Sequence, residues 1–106
     1  MTRFHVHIRL HNGENTIDFE EAKRRLLALF TSMNQVSPKA RLDVFKTESY
    51  SFAKNGSVVK LECIAMQITV MELTVMRSFI DRYSELLKIP SGNVSISYDK
   101  HEVTLE

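Results

Sequence analysis

The chain reads as one two-layer α/β (α+β) domain of element order β-α-β-β-α-β, residues 1–106, and three observations predict it. Phe4, Val6, Ile8 and Leu10 alternate with polar residues, as a half-buried strand requires. Two later segments place apolar residues at steps of three and four, as helices buried on one side do. Each helix is followed by a proline, Pro38 or Pro90, standing four and six positions before two strand residues, Leu42 and Val44 or Val94 and Ile96. That matched spacing predicts a pseudo-twofold repeat of two βαβ halves.

In the first strand the face opposite Phe4–Leu10 carries Arg3, His5, His7, Arg9 and His11, a basic stripe rich in imidazole. The polar run His11–Asn15 breaks this strand. Asp18 and Glu21 form a D-x-x-E capping box, and Phe19, Ala22, Leu26, Leu29, Phe30 and Met33 follow as a helical stripe that ends at Pro38. Lys23, Arg24 and Arg25 fall on its flanks and solvated face.

The second strand carries Leu42 and Val44 inward. Lys46 and Glu48 then occupy the apolar parity, so the spacing predicts a break and a separate short strand at Tyr50–Phe52. Asn55-Gly56 predicts a tight turn in which both residues tolerate positive φ. The third strand is read with Val59, Leu61, Cys63 and Ala65 on one face and Lys60, Glu62 and Ile64 on the other. A second capping box, Thr69 with Glu72, opens a helix with Leu73, Met76, Phe79, Ile80, Tyr83, Leu86 and Leu87 on its stripe, and Ile68 stapled on Leu73. Val94, Ile96 and Tyr98 form the next strand, and Val103 with Leu105 a short terminal one suited to a neighbouring subunit's sheet edge.

Composition narrows the function. With 43% apolar and 25% charged residues and a formal net charge of +1, this is a globular chain without the basic excess of a dedicated polyanion binder. Nucleic acid is therefore not the expected partner. The lone cysteine, Cys63, reads as a small buried hydrophobe in a reducing compartment. No apolar run approaches membrane-spanning length, and residues 1–5 lack the apolar stretch of a signal peptide, so a cytoplasmic location is expected.

The motifs for other chemistries are incomplete. His5-Val6-His7 places two imidazoles on one strand face, a metal-binding or HUH-nuclease geometry, but no third ligand is evident and Tyr83 sits on the apolar helix stripe. A polar sheet face explains the alternation, and no metal site or cofactor is assigned. RNA recognition would need aromatic platforms on the open face of the central strands, and none is evident there.

Two sheet topologies fit the element string. In one, each half is a parallel βαβ pair and the second strand lies beside the first. In the alternative, ferredoxin-like arrangement, the second strand lies beside the third. The segment Tyr83-Ser84-Glu85-Leu86-Leu87-Lys88-Ile89-Pro90-Ser91-Gly92-Asn93-Val94-Ser95-Ile96-Ser97-Tyr98-Asp99 resembles the tautomerase superfamily, in its macrophage migration inhibitory factor branch. The start, Met1-x-x-Phe4-x-Val6, and the middle, Tyr50–Gly56, are similar to it as well.

The resemblance implies the first topology, a homotrimer, and keto–enol isomerase chemistry on a small carbonyl acid, with Thr2, Lys39, Ser95 and Ser97 lining its pocket. The family's amino-terminal proline is replaced by Thr2, so no catalytic residue is carried over and weak or absent tautomerase activity is expected. In such a trimer Arg3, His5, His7 and Arg9 would form an anion-attracting interior stripe. The alternative expectation is a non-catalytic ferredoxin-like module binding protein or nucleic acid.

Overall fold

Four strands make the main sheet, in spatial order β4-β5-β1-β6, every neighbouring pair antiparallel. The computed structural model describes residues 2–12, 15–34 and 39–98. Along the chain, β1 is Thr2–Arg9, a small hairpin follows from β2 (His11–Asn12) and β3 (Asn15–Thr16), and α1 is Phe19–Asn34. Then come β4 (Arg41–Phe52), β5 (Val58–Val70), α2 (Leu73–Leu87), a 3₁₀ turn at Ser91–Asn93 and β6 (Val94–Tyr98). Pro38, Asp99 and the Val103–Leu105 strand expected from sequence lie outside the described residues.

This is the ferredoxin-like order, α+β in class. It keeps the β-α-β-β-α-β string and corrects the expected neighbours. β1 and β4 run parallel, as a βαβ half demands, but β5 is inserted between them, and β1 likewise separates β5 from β6. The side-by-side parallel pairs implied by the tautomerase resemblance are therefore absent among the described residues. The reason is local: a five-residue connection lets β4 fold straight back onto β5 over its whole length, from Phe52↔Val58 to Arg41↔Thr69.

The turn itself differs from the expectation. Gly56 alone takes positive φ, at 85°, while the Asn55 side chain accepts the Ser57 backbone N–H at 3.0 Å. Gly56 N–H donates to the Ala53 carbonyl at 2.9 Å and Ala53 N–H to the Ser57 carbonyl at 2.8 Å. That pattern is a turn closed by a left-handed glycine, not a two-residue hairpin loop.

Burial on one sheet face builds the core. Phe4, Val6, Ile8 and Leu10 project from the β1 segment as expected, beside Ile64, Met66, Ile68 and Val70 of β5. The face assignment of the third strand is thus reversed: Cys63 and Ala65 belong to the face away from the helices, and Ile64 to the core. The apolar row that decides this continues to Val70, so Thr69 is strand and not a helix cap. α2 begins at Leu73 with Glu72 as its N-cap and no side-chain cap bond, and Leu73 and Leu86 are exposed.

α1 packs Phe19, Ala22 and Leu26 against the sheet, and α2 packs Met76, Phe79, Ile80 and Tyr83. At the start of α1 Glu21 N–H donates to Asp18 Oδ2 at 3.1 Å, the expected half of the capping box. α2 stops where Lys88 turns left-handed, φ 56°, with Ile89 N–H on the Ser84 carbonyl and Lys88 N–H on the Glu85 carbonyl. This is a Schellman closure, made one residue before the Ile89-Pro90 pair that marked it in the sequence.

β4 also runs unbroken through Lys46 and Glu48. Those charges sit at apolar parity because the hairpin has by then outrun the helices. Lys46 lies 5.7 Å from the Phe19 ring at the margin of the core, and beyond it nothing apolar among the described residues covers the strand pair.

Candidate functional site

The two helices occupy one face of the sheet, and among the described residues no element packs on the other face. Strand parity places Arg3, His5, His7 and Arg9 of β1 on it, and pairing with β6 sets Ser97 directly opposite His5 and Ser95 opposite His7. Directly opposed side chains start roughly 4.5–5.5 Å apart at Cβ. On the other flank of β1, Gln67 stands opposite His5 and Ala65 opposite His7, and one strand further Asp43 and Phe45 complete the two rows.

These rows enclose a shallow groove of about 380 Å³ lined by His5, His7, Gln67, Ser95, Ser97 and Phe45, with Ala65 in its floor. His7 reaches across the small Ala65 to β4, where its Nε2 is hydrogen-bonded to Thr47 Oγ1 at 3.1 Å. Arg9 leaves the groove's lower end and donates to the Gly92 carbonyl at 2.9 Å. Asn93 in turn donates to the Arg9 and His11 carbonyls and ties the 3₁₀ turn to β1.

Two sets of residues singled out in the sequence for different reasons thus meet: the imidazoles of the basic stripe and the serines of the last strand. Thr2 and Lys39 do not join them. Thr2 is at the opposite parity at the end of β1, paired with Val70, and Lys39 is exposed before β4, on the far edge of the sheet from β6. Among the described residues no three His, Cys, Asp or Glu side chains converge as a metal site needs.

A second surface was not anticipated. Pairing of β1 to β5 ends at Arg9↔Cys63, while β4 and β5 continue as a two-stranded arm to Phe52 and Val58. Its inner part is charged, with Lys60 Nζ 2.8 Å from Glu48 and Lys46 Nζ 3.6 Å from Glu62. The hydrogen bond between Lys60 and Glu48 holds the Glu48 carboxyl below its ordinary range and the Lys60 ammonium above its own. Its outer part is apolar, with Tyr50 65%, Phe52 80% and Val58 57% exposed on one face and Val59 43% exposed on the other. The sequence signal was present, since Tyr50, Phe52, Val58 and Val59 flank the Asn55-Gly56 turn. The spacing does not say that, among the described residues, neither helix reaches them.

No family model matches the chain, and no curated protein matches it. Solved structures do match in fold. CutA1 from Pyrococcus horikoshii superposes with a TM-score of 0.58 at 10% identity, over 100% of this chain and 89% of that one. A phage SAM lyase in complex with S-methyl-5'-thioadenosine gives 0.56 at 14% identity, over 92% of this chain and 79% of that one. A de novo designed protein, Foldit4, gives 0.53 at 13% identity, over 95% and 98%. That proteins so different share the arrangement makes the likeness one of fold. Among the described residues, no helix is long and apolar enough to cross a membrane.

Proposed function

We propose that this chain is a non-catalytic ferredoxin-like binding module whose first partner is further copies of itself. The arm carries the reading. An isolated two-stranded hairpin is marginal in water, and this one ends in apolar side chains that its own helices cannot cover. With aromatic side chains of roughly 150–250 Å² each, the tip presents about 400 Å² of apolar surface per copy. Two tips meeting alone would bury about 800 Å², short of the roughly 1,200–2,000 Å² of a stable specific interface. The arm therefore needs a larger, different surface on its partner.

The sheet edges indicate which. The β4 edge carries Arg41, Asp43, Lys46 and Glu48, charges of the kind that blunt an edge. The β6 edge, Val94-Ser95-Ile96-Ser97-Tyr98, has no charge and no proline, and its five residues are long enough to take the Val58–Leu61 stretch of the arm, which lies beyond the last backbone bond to the β1 segment, Leu10 N–H to the Glu62 carbonyl. An arm-to-β6 contact joins two different surfaces, and such head-to-tail contacts build a closed ring where the rotation between copies closes. A homotrimer is the assembly proposed.

Light scattering on the eluting protein tests it. Three times the monomer mass is expected, falling to the monomer in Tyr50→Ser/Phe52→Ser, whose substitutions lie outside the core. A wild-type protein that elutes as a monomer at every concentration overturns the assembly. For the non-catalytic part, enol decay of phenylpyruvate no faster than buffer is expected for chains starting at Met1 and at Thr2, and a faster rate would replace this reading with the tautomerase one.

A further inference from the structure

A contact between an arm and a β6 edge has a direction and a face, and the sheet constrains both. From Leu61 outward to the turn, the β5 edge that pairs with β1 further in is free. To bring that edge against the outer edge of a neighbour's β6, the arm is turned through half a circle, about the sheet normal or about its own length. β5 and β6 both pair antiparallel with β1, so within one copy they run the same way. The first turn therefore lays the arm antiparallel to β6, with the helix-side faces of the two copies together. The second lays it parallel, with its helix-side face turned away. Every described strand pair in this chain is antiparallel, and that pairing is the more stable per residue.

We propose that the groove between α2 and β6 is the seat for the helix-side face of a neighbouring copy's arm, added antiparallel to β6. This seat rests on the arm-to-β6 contact proposed above and is the larger surface that the arm tip lacks.

The groove holds about 520 Å³, with Ile80, Ile89, Val94 and Ile96 along its apolar part and Asp81 and Glu85 on its α2 wall. Val94 and Ile96 face the helices yet are only half-buried, and Tyr98 in the same row is 59% exposed. Among the described residues no strand lies beyond β6 to finish the core along this margin. The arm has the converse deficit: Tyr50, Phe52 and Val58 project on the helix side with no helix of their own copy over them. Antiparallel addition brings Val58 to the Ile96–Tyr98 end of the groove, with Phe52 and Tyr50 in the next row out. Two uncovered apolar margins that face the same way then cover each other.

The charges agree along the whole contact. α2 starts just after Val70, which pairs with Thr2, and ends just before Val94, which pairs with Ile8, so it runs against β6 as the added arm does. Its flank presents Arg77, Asp81, Glu85 and Lys88 in that order, over roughly 16 Å. From the tip inward the arm presents the aromatic row, then Lys60, then Glu62 beside Glu48, over roughly 14 Å. Arg77 thus meets the rings, Lys60 meets Asp81 and Glu85, and the two glutamates meet Lys88. Lys60 keeps Glu48, 2.8 Å away on its outer side, and takes the α2 acids on its inner side.

Photo-cross-linking in a mixture of isotopically light and heavy full-length chains tests the seat. With p-benzoylphenylalanine in place of Phe52, light–heavy cross-links are expected on the α2 flank around Arg77 and on the Ile96–Tyr98 end of β6. The same probe in place of Ser51, on the opposite face of the arm, should leave α2 unlabelled. Labelling of α2 from position 51 would mean parallel addition and overturn the seat, as would cross-links from position 52 that gather on another arm or on the sheet face away from the helices. Lys60→Glu/Glu48→Lys keeps the ion pair within the arm but sets Glu against Asp81, and should weaken association about tenfold. Adding Asp81→Lys/Glu85→Lys should restore it, and an exchanged pair that associates like wild type would count against the seat. If Tyr50→Ser/Phe52→Ser falls to the monomer while position 52 labels elsewhere, the arm reading stands and the seat falls. A wild-type protein that stays monomeric at every concentration ends both.

Discussion

Tyr83 lies fully within the core, and its phenol donates to the Ala22 carbonyl of the other helix at 2.7 Å. Burial pushes that phenol well above its ordinary pKa, so it remains a donor through any pH at which the protein is folded. Tyr83→Phe keeps the ring and removes the bond, and is expected to cost about 1–2 kcal/mol in urea unfolding. Glu21 gives the pH prediction. Hydrogen bonds from Arg24 and then Arg25 lower its carboxyl from 4.5 to about 2. A depressed folded-state value means the contribution is complete above the unfolded value and is lost as pH falls from about 4.5 towards 2. The group is exposed, so the effect is small and weakens with salt. Glu21→Gln should flatten the stability profile in that acid window: a small loss against wild type at pH 7 that shrinks to nothing as pH falls towards 2, as chemical denaturation at each pH will read. At this scale the sequence was informative wherever a residue's role depends on its own element. Tyr83 on the helix stripe and Asp18 at the cap were both legible. The register of β1 histidines against β6 serines was not, because it depends on which strand lies beside β1, and no local spacing encodes that.

The long hairpin shows what a pattern of polarity conveys about an element. Lys46 and Glu48 at apolar parity looked like the end of a strand, yet they mark the point where a continuous strand leaves the cover of the helices and pairs its charges with Glu62 and Lys60. Alternation reports burial, and strand continuity was inferred from it only by proxy. The same proxy reversed the faces of β5, where the six residues Leu61–Met66 alone do not reveal which row is heavier until Ile68 and Val70 are counted with it. Gly56 holds the turn at φ 85° with open space around its Cα, so a substitution is opposed by backbone conformation alone. Gly56→Val is expected to destabilise the hairpin by about 1–2 kcal/mol. Proteolysis at Lys54 and loss of amide protection in Tyr50–Leu61 will report it, while the helices and β1 hold their protection.

Across the molecule, β1 is the hub. It is flanked on both sides by hydrogen-bonded strands and contributes Phe4, Val6 and Ile8 to the core. Native-state hydrogen exchange should therefore rank β1 and the Ile64–Val70 part of β5 as slowest, approaching the global unfolding free energy, with the arm beyond Cys63 and the β6 edge far faster. Arm amides that exchange as slowly as those of β1 in the monomeric Tyr50→Ser/Phe52→Ser protein would contradict this order. The two-layer class and the element string were readable from the chain, since both rest on periodicity. The strand order was not: the matched prolines are equally compatible with halves that pair within themselves and halves that interleave. The hairpin connection decides between these, through how far its two strands stay in register.

Interleaving has a kinetic side. Phe4 takes Ile68 as one neighbour and Tyr98 as the other, so both partners of the central strand are supplied from the far half of the chain. Local events can build the helices and the β4–β5 ribbon early, but the hub closes only after long loops have been drawn in, the step that slows folding most. During synthesis the β6 flank of β1 must wait unpaired until Val94–Tyr98 has emerged. A growing chain halted before β6 would offer one bare flank of β1 to whatever strand it meets first.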